Sequence, residues 1–118
     1  MISPTNESPD RRLRVRWFDA WHPELDKALA TLPEMPTCPH ELFRMLMQNP
    51  IGARKQTALV TEDGRPVAVV GLRRKHRHWE PVPQDPSPRA VAPAAPGFLV
   101  PALRALDRDI WVWGFDDF

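Results

Sequence analysis

The chain has 118 residues, 16 Lys+Arg against 15 Asp+Glu for a formal net charge of +1, and 42% hydrophobic residues. That length sets the expectation of one domain with a single core, and the composition excludes collagen, coiled coil and wholesale disorder. With Cys38 the only cysteine, no disulfide can form within the chain, and the near-neutral charge disfavours nucleic acid as a partner of the whole domain.

Residues 1–10 are polar, carry two prolines and show no apolar period, so they are expected to be a disordered lead-in to a single domain over 11–118. They also lack the apolar run of a secretory signal, and Ala90 to Leu106, the most apolar stretch, is broken by Pro93, Pro96 and Pro101 and carries Arg104. No membrane span is expected, and the cytoplasm is the expected compartment.

Arg12-Leu13-Arg14-Val15-Arg16-Trp17 alternates strictly, which predicts a half-buried strand with Leu13, Val15 and Trp17 on its inner face. Asp19 or His22 can start a helix running to about Thr31, with Trp21, Leu25, Ala28, Leu29 and Leu32 at helical spacing. After the proline-broken Leu32-Pro33-Glu34-Met35-Pro36, Thr37 or Cys38 can cap a second helix with Pro39 just inside it and Leu42, Phe43, Leu46 and Met47 as its apolar stripe. Pro50 and Gly52 stop it.

Residues 57–61 and 67–72 are β-rich runs around Glu62-Asp63-Gly64-Arg65, and Asp-Gly is a favoured pair in tight hairpin turns. Both runs are apolar at nearly every position, which suits central strands covered on both faces, with Arg73 and Arg74 marking where burial ends. Between 81 and 101 stand seven of the chain's 15 prolines, predicting a stiff proline-rich link that ends at Pro96-Gly97. Leu99, Leu103 and Leu106 then line a helix that Pro101 can start, and Ile110-Trp111-Val112-Trp113 reads as a last strand. The fold class is therefore α+β: an antiparallel sheet with a central Asp-Gly hairpin and two to three short helices.

Strand, two helices and an antiparallel hairpin, in that order, resemble the leading half of the GNAT-type N-acyltransferase fold. The segments LVTEDGRPVAVVGLRRK (59–75) and GFLVPALRALDRDIWVW (97–113) are similar to the leading lobe of the FemAB and CelD-like subgroup. The resemblance implies an acyl-CoA donor and an amine-type acceptor. Such enzymes hold the acyl-CoA pyrophosphate on backbone N–H groups of a glycine-rich turn, [RQ]-x-x-G-x-[GA], that opens a helix after the fourth strand. Here every glycine is isolated, the run taken as the fourth strand is followed only by Gly114-Phe115-Asp116-Asp117-Phe118, and there is no tyrosine to serve as the family's frequent general acid. The expectation is a half-fold that is incomplete or inactive alone, binds no cofactor by itself, and meets acyl-CoA only if a partner completes the fold. The alternative is a non-enzymatic interaction module, a homo-oligomer or a chain whose sheet a partner completes, pairing through its C-terminal strand.

Arg73, Arg74, Lys75 and Arg77 with Trp79, together with Trp111 and Trp113, form the candidate interaction surface. The cations could hold phosphates with Trp79 as a stacking platform, although a solvated basic loop is the ordinary explanation. Cys38, His40, His76 and His78 have the chemistry of metal ligands, but their spacing is not that of a zinc finger, cations flank His76 and His78, and no metal site is expected. A Cys38/His40 dyad fails because residues two apart at a helix start do not face each other. Glu80 beside Trp79 is a weak candidate for a general base. No catalytic residue is assigned.

Overall fold

A computed structural model describes residues 13–35, 38–49, 54–75, 78–82 and 92–107. The expected lead-in at 1–10 and last strand at 110–113 lie outside these residues. Strand β1 is Leu13–Phe18. Helix α1, Pro23–Ala30, starts where His22 adopts an extended conformation and its Nδ1 accepts the Glu24 N–H at 3.1 Å. Pro23 sits in the first turn, where its missing N–H costs nothing, and Glu24 and Asp26 complement the positive end of the helix. Helix α2 is His40–Gln48, and Asn49 turns extended ahead of Pro50, as the residue before a proline must. The expected cap shifts by one: Pro39 is itself the cap residue and offers no side-chain bond, because Cys38 is drawn inward to a bridge with Met35.

Strands β2 (Lys55–Glu62), β3 (Arg65–Lys75) and β4 (His78–Val82) follow, then helix α3 (Leu99–Asp107). The four strands form one antiparallel sheet in the order β1-β2-β3-β4. Asp63 and Gly64 join β2 to β3 with φ of 52° and 82°, the positive values that both central residues of a two-residue type I′ turn require. Between the pairs Val60/Ala68 and Thr61/Pro66 the register slips by one, leaving Val67 as the extra residue of a bulge in β3. Pro66, which cannot donate to a ladder, is tolerated in an inner strand because it adjoins that bulge.

The 81–101 stretch is not a uniform link. Pro81 and Val82 belong to β4, and farther on Ala94 pairs with Ala68, with the Val69 N–H on the Pro93 carbonyl at 3.0 Å and the Ala95 N–H on the Val67 carbonyl at 2.8 Å. Continuing the Gly71/Val82 register would bring residue 85 opposite Ala68, whereas Ala94 is there. The fourth strand is thus one edge in two pieces, and the chain takes nine residues more than a continuous strand would need between them.

Period-2 geometry sends alternate side chains to opposite faces, and both faces are covered. Leu13, Ala58, Val60, Val70, Leu72 and Trp79 pack with Ala102, Leu103, Ala105 and Leu106 of α3. On the other face Leu59, Val69 and Val82 pack with Leu25, Ala28 and Leu29 of α1 and with Phe43 and Met47 of α2. Gly71 is where α2 comes closest: a Cβ there would meet the Met47 sulfur at 2.5 Å and the Phe43 ring at 3.0 Å. Leu42, expected in the α2 core stripe, is instead 42% exposed, because Phe43 and Met47 turn the helix's buried arc away from it.

Candidate functional site

Four basic residues stand at one end of the sheet, where β2 begins and β3 ends, Lys55 and Arg73 at one register position and Arg54 and Arg74 at the next, on the opposite face. The ladder sets Lys55 opposite Arg73, and the Arg74 N–H donates to the Arg54 carbonyl at 2.7 Å. Like charges directly opposite in a ladder are destabilising, so backbone pairing and the core beneath hold these residues together against their repulsion. Lys55 Nζ donates to the Asn49 carbonyl at 2.8 Å, placing its charge at the negative end of α2. Arg54 Nη2 lies 3.9 Å from Asp19 Oδ1, which accepts a 2.6 Å bond from Gln56 Nε2. The Arg74 guanidinium sits over the Trp79 ring, 5.8 Å from its centroid, as the register pairing of the two residues allows.

Two expectations change here. Residues 73–75 continue β3 and 78–79 open β4, so most of the supposed loop is strand. Trp79 is only 9% exposed and packs in the α3-side core, because odd-numbered positions of β4 face α3; its ring is no stacking platform. Lys75, His78 and Glu80 occupy strand positions, Glu80 opposite Arg73. His76, Arg77, Trp111 and Trp113 lie outside the described residues. Arg54 and Lys55 were missed, being 19 and 18 residues from Arg73. Counting back from the Asp63-Gly64 turn, with one residue for the bulge, would have found them.

Cys38 is buried between α1 and α2, whereas the His40 ring Nε2 lies 3.3 Å from the Pro33 carbonyl and the His40 backbone N–H donates to Glu34 Oε2 at 2.9 Å. His40 is thus tied to the loop before α2. A shallow cleft of about 290 Å³ lies between the helices, lined by Asp26, Leu29, Ala30, His40, Glu41 and Arg44. Two of its charges pair with each other: Asp26 Oδ1 accepts the Trp21 Nε1–H at 3.2 Å and lies 3.6 Å from Arg44 Nε. Among the described residues no buried side-chain polar atom lacks a partner, and no group of His, Cys, Asp or Glu gathers as metal ligands would. No helix among them is long and apolar enough to cross a membrane.

The clearest ion pair joins β1 to α1. Arg16 donates to both Glu24 oxygens, at 2.6 and 3.1 Å, and these bonds hold the Glu24 carboxyl below its ordinary range while raising the Arg16 guanidinium.

With the fourth strand placed at β4 and Ala94, the turn that opens a helix after it is Ala92–Phe98 rather than the C-terminal 114–118. Gly97 there has a φ of 81°. Pro96 and Pro101 have no N–H, Ala95 donates to Val67, and Phe98 donates to Ala95 at 2.9 Å. Most of the amides that could face an anion are therefore absent or engaged. Comparison with protein-family models, with curated proteins and with solved structures finds no match to this chain.

Proposed function

We propose that this chain is the leading half of an acyltransferase-type fold, catalytically silent by itself, whose acyl-CoA site is missing at the helix that follows the fourth strand. The observation that carries the reading is the order of elements and strands: β1, a helix pair on one face, three further antiparallel strands in sequential order, then α3 on the opposite face. The turn at 92–97, Ala-Pro-Ala-Ala-Pro-Gly, keeps only the final glycine of the [RQ]-x-x-G-x-[GA] pattern. Pro96 and Pro101 offer no N–H, and the Ala95 and Phe98 amides are engaged within the fold, which leaves fewer donors for a pyrophosphate.

Calorimetric titration with acetyl-CoA tests this. The native chain is expected to give no saturable heat, and the folded variant Ala92→Arg/Ala95→Gly/Pro96→Ala to gain binding. Native binding near micromolar, about −8 kcal/mol, would show that the chain is not silent. A folded variant that stays inert would remove the acyltransferase reading.

A second reading, a non-enzymatic interaction module, is favoured by Leu42 and Met45, which are exposed three residues apart on one side of α2. Light scattering that rises above one chain with concentration, and reverts in Leu42→Ser/Met45→Ser, would favour it.

A further inference from the structure

The sheet has two edges, β1 and the fourth strand, and they are built differently. The fourth carries Pro81 and, before Ala94, Pro93, and it is broken by nine extra residues, features that keep another strand from pairing there. Strand β1 has no proline, and its six pairs with β2 run from Leu13 to Phe18 without a slip. Among the described residues no strand pairs with its outer side. We propose that this outer edge of β1 takes up, as a fifth strand, an extended segment of another protein that alternates apolar and acidic residues. The proposal rests neither on the acyltransferase reading nor on Leu42 and Met45.

The alternation within β1 sets that chemistry. Leu13, Val15 and Trp17 lie on the α3 face, where the apolar row is fully buried at Ala58 and Val60 of β2 but only half-buried at Val15 and Trp17. A partner's apolar side chains on that face would continue the row, while main-chain hydrogen bonds to the edge hold the segment. On the other face Arg14 is exposed, stands opposite Thr61 and has no acid paired with it among the described residues, whereas Arg16 is engaged by Glu24. A carboxylate across the new ladder from Arg14 supplies the opposite charge. A second copy does not: a two-fold pairing centred on Val15 sets Arg14 against Arg16, and one centred on Arg14 or Arg16 sets that arginine against itself.

The test is an amide ¹H–¹⁵N map of the full chain titrated with a synthetic heptapeptide that alternates Glu and Val. Saturable shifts along Leu13–Phe18, with His78–Val82 unmoved, are expected, together with slower hydrogen exchange at the β1 amides that do not donate to β2. Arg14→Glu, checked for folding by circular dichroism, should bind that peptide roughly three- to tenfold more weakly and prefer one that alternates Lys and Val. The milder Arg14→Gln should lose the preference between the two. Leu42→Ser/Met45→Ser should bind as the parent does, which separates this edge from the exposed side of α2. The proposal is overturned by no shifts, by β1 amides that are all protected in the chain without peptide, or by shifts confined to α2. It is equally overturned if the folded Arg14 variants keep the parent's preference, or if a peptide of the same residues in non-alternating order binds as well.

Discussion

The β2–β3 ladder carries a charged pair in register at each end, and the two pairs have opposite logic. At the turn end Glu62 faces Arg65, 3.2 Å apart, beside Asp63 and Gly64 in the positive-φ conformations that the turn demands. At the other end Lys55 faces Arg73, two cations with no turn between them. The first pair is what folding favours: opposite charges closing a turn whose backbone fixes the register. The second persists because Gly71, two residues from Arg73, lets Phe43 and Met47 seat α2 against the sheet, so packing rather than charge holds that end closed. One end is thus closed by opposite charges and turn geometry, the other by packing and by Lys55 on the Asn49 carbonyl.

The largest effect should come from the packing beneath the basic end. Phe43→Ala empties a fully buried position and should cost about 3–5 kcal/mol in a urea or thermal melt. Gly71→Ala approaches the same contact from the sheet side and should cost about 1–3 kcal/mol, since the Phe43 ring is boxed in and must give. A smaller loss, about 1–2 kcal/mol, is expected for Gly64→Ala at the turn end, where space is open and only the left-handed φ is strained. Arg54→Gln/Arg74→Gln should leave stability within about 0.5 kcal/mol, because both side chains are exposed. A large loss there would mean that charge as well as packing holds that end closed.

The smallest effect concerns pH. Glu24 is held below its ordinary value of 4.5 by Arg16, so its contribution is complete above that value and lost as pH falls through the lower folded one. Parent chain and Arg16→Gln should therefore differ in urea midpoint at neutral pH and converge in acid. Divergence in acid would refute the assignment.

Much of the architecture was legible because it is local. The alternation at 13–17 marks β1, the Asp-Gly pair marks the β2–β3 connection, and Pro50 marks the end of α2. The fourth strand was not legible. Pro81 within β4 and Pro93 beside Ala94 argue against a strand in any local reading, yet an edge strand can hold a proline whose missing N–H is not needed by the ladder. That omission left 78–82 and Ala94 unread as the sheet's fourth edge. The basic site was half visible: the run at 73–75 stands out, but Arg54 and Lys55 join it only through register. The burial of Trp79 follows from its parity on a strand that was not foreseen.

The contrast between the two ends is tested most directly by the urea midpoints of Phe43→Ala and Gly64→Ala measured side by side. The larger loss for Phe43→Ala is the predicted result, because packing closes the basic end while the turn end keeps its opposite charges. An equal or smaller loss for Phe43→Ala would contradict the account.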